Sequence, residues 1–187
     1  MSMLWKGIPV PVLVAIILLI VGGLIHIVGI ATPYWHSISI TNNVVRDKPY
    51  GHHGLWAVCT TRGQDVIDCN SHSDTKSEVV ATRALEVLAL LFGAMCIIIT
   101  GLWFFLRLER HRLILMISSL GSGFISALFG FIGIIIYAAD VNSNSRVTDV
   151  TSVYNQNLDW SFAMCVISSI LVTVATILIG IGTRMVK

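Results

Sequence analysis

Four apolar runs constrain this chain more than any other feature. They cover residues 12–32, 84–106, 113–139 and 160–183, and each is longer than 20 residues. A single soluble core cannot enclose four such segments in a chain of 187 residues. A bilayer can, because its hydrocarbon slab of roughly 30 Å takes about 20 helical residues. The composition agrees: 55% of residues are hydrophobic and 12% charged, about half the charged fraction usual in soluble domains. The expected product is an all-α four-helix transmembrane bundle in which residues 1–187 form one four-span domain. Lys6 offers only a weak basic n-region, and ATPYW at the exit of the first run lacks a signal-peptidase site, so that run is read as an uncleaved span.

Lys/Arg density sets the expected orientation. Lys6, Arg107, Arg110, Arg112, Arg184 and Lys187 crowd onto short segments, whereas Arg46, Lys48, Arg62, Lys76, Arg83 and Arg146 are diluted over two long loops with most of the acids. Both termini are therefore expected in the cytoplasm. Residues 33–80 and 140–159 are then outer loops, with a tight inner turn between spans two and three.

On that side of the membrane cysteines oxidise. Cys59 and Cys69, ten residues apart, are expected to form a disulfide. The alternative is a pair of zinc ligands assisted by His36, His52, His53 and His72, but the ten-residue step is not a familiar ligand spacing. Cys96 and Cys165 fall within spans and read as buried free thiols.

The outer loops carry strand signals. Ser37–Ile40 alternates polar and apolar residues, and Val44-Val45, Leu55–Val58 and Val66-Ile67 are short β-prone runs. Asn42-Asn43, Lys48-Pro49-Tyr50-Gly51 and Arg62-Gly63-Gln64-Asp65 read as turns between them. Residues 146–154 alternate again, so strands from both loops are expected to form a small antiparallel sheet at the outer end of the bundle. The third run, 27 residues long, reaches roughly 40 Å as a helix. It must tilt, or project outward and buttress that sheet.

Inside the spans, Ser118, Ser122, Ser126 and Gly130 recur every fourth residue, as do Ala89 and Gly93. These rows read as close helix-packing seams, the alternative being a polar stripe along a pore. His26 and Glu86 are the ionisable residues well within the runs. Glu86, close to the start of the second run, is expected to pair locally with Arg83. His26 is expected to hydrogen-bond a neighbouring span.

Catalytic constellations and phosphate-binding loops are absent from the sequence, as is any N-glycosylation sequon. A net charge of +2 leaves no basic face for nucleic acid. No enzyme activity, cofactor or metal is expected.

Trp35, Gly54-Leu55-Trp56, Cys59 and Cys69 stand in the order and spacing of the W-GLW-C-C signature. Ala81-Thr82-Arg83-Ala84-Leu85 resembles the A-x-R-A-L segment that opens span two in the same group. The chain thus resembles the superfamily of claudins, peripheral myelin proteins, epithelial membrane proteins and the lens-fibre intrinsic protein, and is claudin-like in its cysteine spacing. The resemblance implies a left-handed four-helix bundle carrying an extracellular antiparallel sheet, with Trp35, Leu55 and Trp56 resting at the membrane interface. Residues Arg184–Lys187, without a PDZ ligand, and Asp159–Phe162 look more like the peripheral-myelin branch.

The function implied is a structural plasma-membrane protein of cell–cell contacts, assembling in cis and in trans with its own copies into a paracellular barrier or pore. Arg62, Asp65 and Asp68, beside neutral Asn70, are candidates for lining such a path. The alternative is an auxiliary subunit of an ion channel or receptor, or a membrane organiser of the peripheral-myelin type. Its partners would be the lipid bilayer and a channel or another four-span protein.

Overall fold

A computed structural model describes residues 9–41, 48–62, 66–71, 76–105, 112–144, 148–149 and 152–185. Among these, four helices are long and apolar enough to cross a membrane. They are α1 (Val10–Ala31), α2 (Ser77–Phe105), α3 (Arg112–Asn144) and α4 (Trp160–Met185). Helix α2 packs along α3 and α1 along α4; α3 and α4 close the bundle, and α1 touches α2 far less.

Helix ends follow local chemistry. Pro33 stops α1, and Thr32 Oγ1 donates to the Val28 carbonyl at 2.7 Å while lying 2.7 Å from Ser161 Oγ of α4. Asp159 Oδ1 accepts from the Trp160 amide at 2.7 Å and starts α4.

Two helices outrun the apolar stretches. Helix α2 begins at Ser77, not Ala84, because Val79 and Thr82 are buried and extend its packed face beyond the continuous apolar run. Helix α3 has 33 residues, about 50 Å. Its upper end carries Ile134, Tyr137 and Val141 into an apolar cluster with Trp35, Leu55, Val79 and Ile30. The surplus length does buttress the sheet.

The sheet is antiparallel with strand order β4-β3-β2-β1-β6-β5. Its strands are β1 (His36–Thr41), β2 (Lys48–His53), β3 (Ala57–Arg62), β4 (Val66–Ser71), β5 (Thr148–Asp149) and β6 (Ser152–Leu158). Strand β6 of the second loop pairs with β1 from His36↔Leu158 to Thr41↔Val153, so both loops build one sheet. The pairing Asp149↔Ser152 splits the 146–154 run into a short hairpin. The strand then continues through polar Asn155-Gln156-Asn157.

One expected turn is a strand. Lys48-Pro49-Tyr50-Gly51 belongs to β2, paired with β1 through a register shift: Ile38 faces Gly51 and Ser39 faces Pro49. Tyr50 is the extra residue of that bulge. Proline is tolerated there because β2 pairs with β3 only from Gly51 to His53, so at Pro49 the strand has β1 on one side and no β3 partner on the other, beside the bulge. Leu55 and Trp56 precede β3 rather than opening it. Val44 and Val45 lie outside the described residues.

Candidate functional site

The junction between sheet and bundle is built around Trp35, whose side chain is fully buried. Its indole Nε1 donates to the Gly29 carbonyl at 2.8 Å. Its amide donates to the His53 carbonyl at 2.9 Å, and its own carbonyl accepts from the Asp159 amide at 3.0 Å. One residue thus ties α1, β2 and the start of α4. Tyr137 and Phe162 meet the indole edge-on, with ring centroids 4.8 and 5.9 Å away. An aromatic layer continues outward, where His36 Nδ1 hydrogen-bonds with Tyr137 Oη at 2.7 Å and Tyr34 stacks on Trp160.

The Gly54-Leu55-Trp56 triplet divides its labour. A side chain at Gly54 would collide with the Pro33 Cα, so this position admits only glycine at so close a backbone approach. Leu55 is fully buried under the sheet, whereas Trp56 is 46% exposed. Arg83 of α2 holds the triplet: its Nε donates to the Leu55 carbonyl and its guanidinium lies 5.3 Å from the Trp56 ring centroid. The expectation for the three apolar residues is corrected accordingly. Trp56 is half-exposed beside Arg83. Trp35 and Leu55 are interior, because backbone bonding pulls their segment onto the helix ends.

Cys59 and Cys69 are directly opposed on β3 and β4 and joined by a disulfide. The zinc alternative falls with it, since neither sulfur remains a ligand; His36 instead stacks on His53. Cys96 and Cys165 are buried free thiols.

The matched sequence covers nearly all of this architecture. A sequence profile of the PMP-22/EMP/MP20/Claudin family matches residues 10–181. The chain belongs to that family. It is also similar to the voltage-dependent calcium channel gamma-5 subunits of Mus musculus and Rattus norvegicus, at 25% identity over 166 residues, covering 77% of this chain and 59% of each relative. The Homo sapiens gamma-5 subunit is 24% identical over 163 residues, with the same coverage. The chain therefore spans about three fifths of the length of these relatives.

Within this PMP-22/EMP/MP20/Claudin bundle the small-residue rows are seams. Ser126 Oγ donates to the Ala89 carbonyl at 2.7 Å, and a methyl at Gly130 would fall 2.6 Å from Ser169 Oγ. Ser118 is exposed and leaves the row; Ser119 takes its place, 2.6 Å from Thr100 Oγ1. Where α1 and α2 diverge, an apolar groove of about 220 Å³ is lined by Leu24, His26, Ile27, Gly93 and Ile97.

The Arg83–Glu86 pair does not form. Because α2 starts at Ser77, Glu86 lies in its third turn and is fully buried, pointing inward while Arg83 turns to Leu55 and Trp56. His26 does bond a neighbouring span: its Nε2 lies 3.1 Å from the Glu86 carbonyl oxygen. Of the charges considered for a path between cells, Arg62 ends β3 opposite Val66 and Asp68 lies opposite Thr60. Asp65 is outside the described residues.

Proposed function

We propose that this protein is a non-enzymatic membrane protein that acts through lateral contact, as an auxiliary subunit of a cation channel or receptor. The observation that carries this reading is the likeness to calcium channel gamma-5 subunits across 77% of the chain. The geometry is compatible with it. Lipid-facing apolar residues such as Ile98, Ile132 and Ile135 offer surface for a partner's spans. The reading includes a plasma-membrane location, cytoplasmic termini and a sheet on the outer side. Gentle detergent purification from native membrane with quantitative mass spectrometry tests it. A stoichiometric channel or receptor polypeptide supports it; recovery of this chain alone overturns it.

A second reading is favoured by the sheet. The disulfide-stapled β3–β4 hairpin at one edge and the β5–β6 hairpin at the other form a surface suited to contact between copies on facing cells, with Arg62 at the end of β3 and Asp68 on β4. Expression in cells without junctions distinguishes the readings. Concentration at cell–cell borders with raised transepithelial resistance supports the contact role, and uniform surface staining overturns it.

A further inference from the structure

Three side chains with metal-ligand chemistry converge inside the bundle from three different helices. His26 of α1, Glu86 of α2 and Cys165 of α4 are buried, and their donor atoms all lie within 4.8 Å of one another. His26 Nε2 and Glu86 Oε2 are 3.3 Å apart. Two light donors on one tetrahedral ion, with bonds of about 2.0–2.1 Å, stand at about that separation.

An independent observation points to a ligand. Both carboxylate oxygens of Glu86 lack a hydrogen-bond partner although the side chain is fully buried, an arrangement that costs free energy unless something satisfies the group. Arg83, the cation nearest in sequence, is engaged by Leu55 and Trp56. The surroundings are also kept open. A methyl at Gly29 would fall 2.6 Å from Cys165 Sγ, and one at Gly133 would fall 2.8 Å from Glu86 Oε1.

We propose that His26, Glu86 and Cys165 bind one divalent ion of the zinc type. An imidazole with a thiolate selects zinc over magnesium or calcium, which prefer all-oxygen sets. Thiolate and carboxylate together neutralise a divalent cation, and a neutral assembly is the form a bilayer interior accommodates. Three protein donors leave a fourth position for water or the second carboxylate oxygen. To bind through Nε2, His26 carries its proton on Nδ1 instead of donating it from Nε2 to the Glu86 carbonyl, and the Cys165 thiol gives up its proton, so binding releases the thiol proton to solvent. It would clamp α1 to α2, the least closely packed of the neighbouring helix pairs. The expectation of no metal is thereby revised. Positions 26, 86 and 165 are too far apart in sequence to form a motif.

The test uses the full chain, purified in detergent without a histidine tag, stripped with chelator and titrated with Zn²⁺ or Co²⁺ alone. One ion per chain is expected. The Co²⁺ form should show visible ligand-field bands and a near-ultraviolet thiolate-to-cobalt charge-transfer band, unaffected by excess Ca²⁺ or Mg²⁺. Cys165→Ser should abolish that band and Cys96→Ser should retain it. Glu86→Gln should weaken Zn²⁺ binding by more than the ~10–100-fold typical of losing a supporting residue. Absence of the band in the wild-type chain overturns the proposal, as does its survival in Cys165→Ser or its loss to Ca²⁺ competition.

Discussion

The indole nitrogen of Trp35 donates to the carbonyl oxygen of Gly29 at 2.8 Å, joining the fourth residue beyond α1 to the helix it has just left. The bond satisfies the one polar atom of an otherwise buried ring. Trp35→Phe should cost about 1–3 kcal/mol through the lost bond and lost volume, and Trp35→Ala about 3–5 kcal/mol. Thermal unfolding in detergent, followed by Cys96 and Cys165 labelling, should rank wild type above Phe and Phe above Ala.

The Cys59–Cys69 bridge closes a loop of ten residues, worth about 2–3 kcal/mol in the chain-entropy account. Cys59→Ser or Cys69→Ser should loosen the β3–β4 hairpin and reduce surface delivery. Maleimide on intact cells should label neither residue in the wild type until reductant is added. Ready labelling without reductant contradicts the bridge.

Leu55 and Trp56 are neighbours with opposite exposure, so their alanine variants should differ. Leu55→Ala should cost about 2–5 kcal/mol by opening a cavity under the sheet. Trp56→Ala loses chiefly its contact with Arg83, about 1 kcal/mol at a half-exposed site. Paired melting curves check the order, and equal losses would refute the division of the triplet.

Two glycines of α1 should behave oppositely. Nothing lies within 4 Å of a methyl added at Gly23, whereas one at Gly29 meets the Cys165 sulfur at 2.6 Å and the Ser161 carbonyl oxygen at 3.1 Å. Gly23→Ala should be neutral or stabilising by up to about 1 kcal/mol through helix propensity. Gly29→Ala should destabilise by about 1–3 kcal/mol through overpacking. Surface expression and melting temperature of the two variants read the contrast directly.

Much of this protein was written locally. The four spans follow from run length against a slab of fixed thickness, and the Cys59–Cys69 pair from spacing within a strand-rich loop. Ser37–Ile40 and Val66-Ile67 announced strands because alternation is a property of neighbours in sequence. What depended on contacts between distant segments was not legible. Lys48–His53 becomes a strand because β1 lies beside it and the bulge at Tyr50 absorbs its proline. The start of α2 at Ser77 depends on Val79 finding burial with Trp35 and Leu55 and Thr82 finding it against Gly133 of α3, and the added length puts Glu86 in the interior beside His26 and Cys165 and not in the expected surface pair with Arg83. Hydrophobic length is read one residue after another. The partner of a buried polar group is decided only when separate helices are brought face to face.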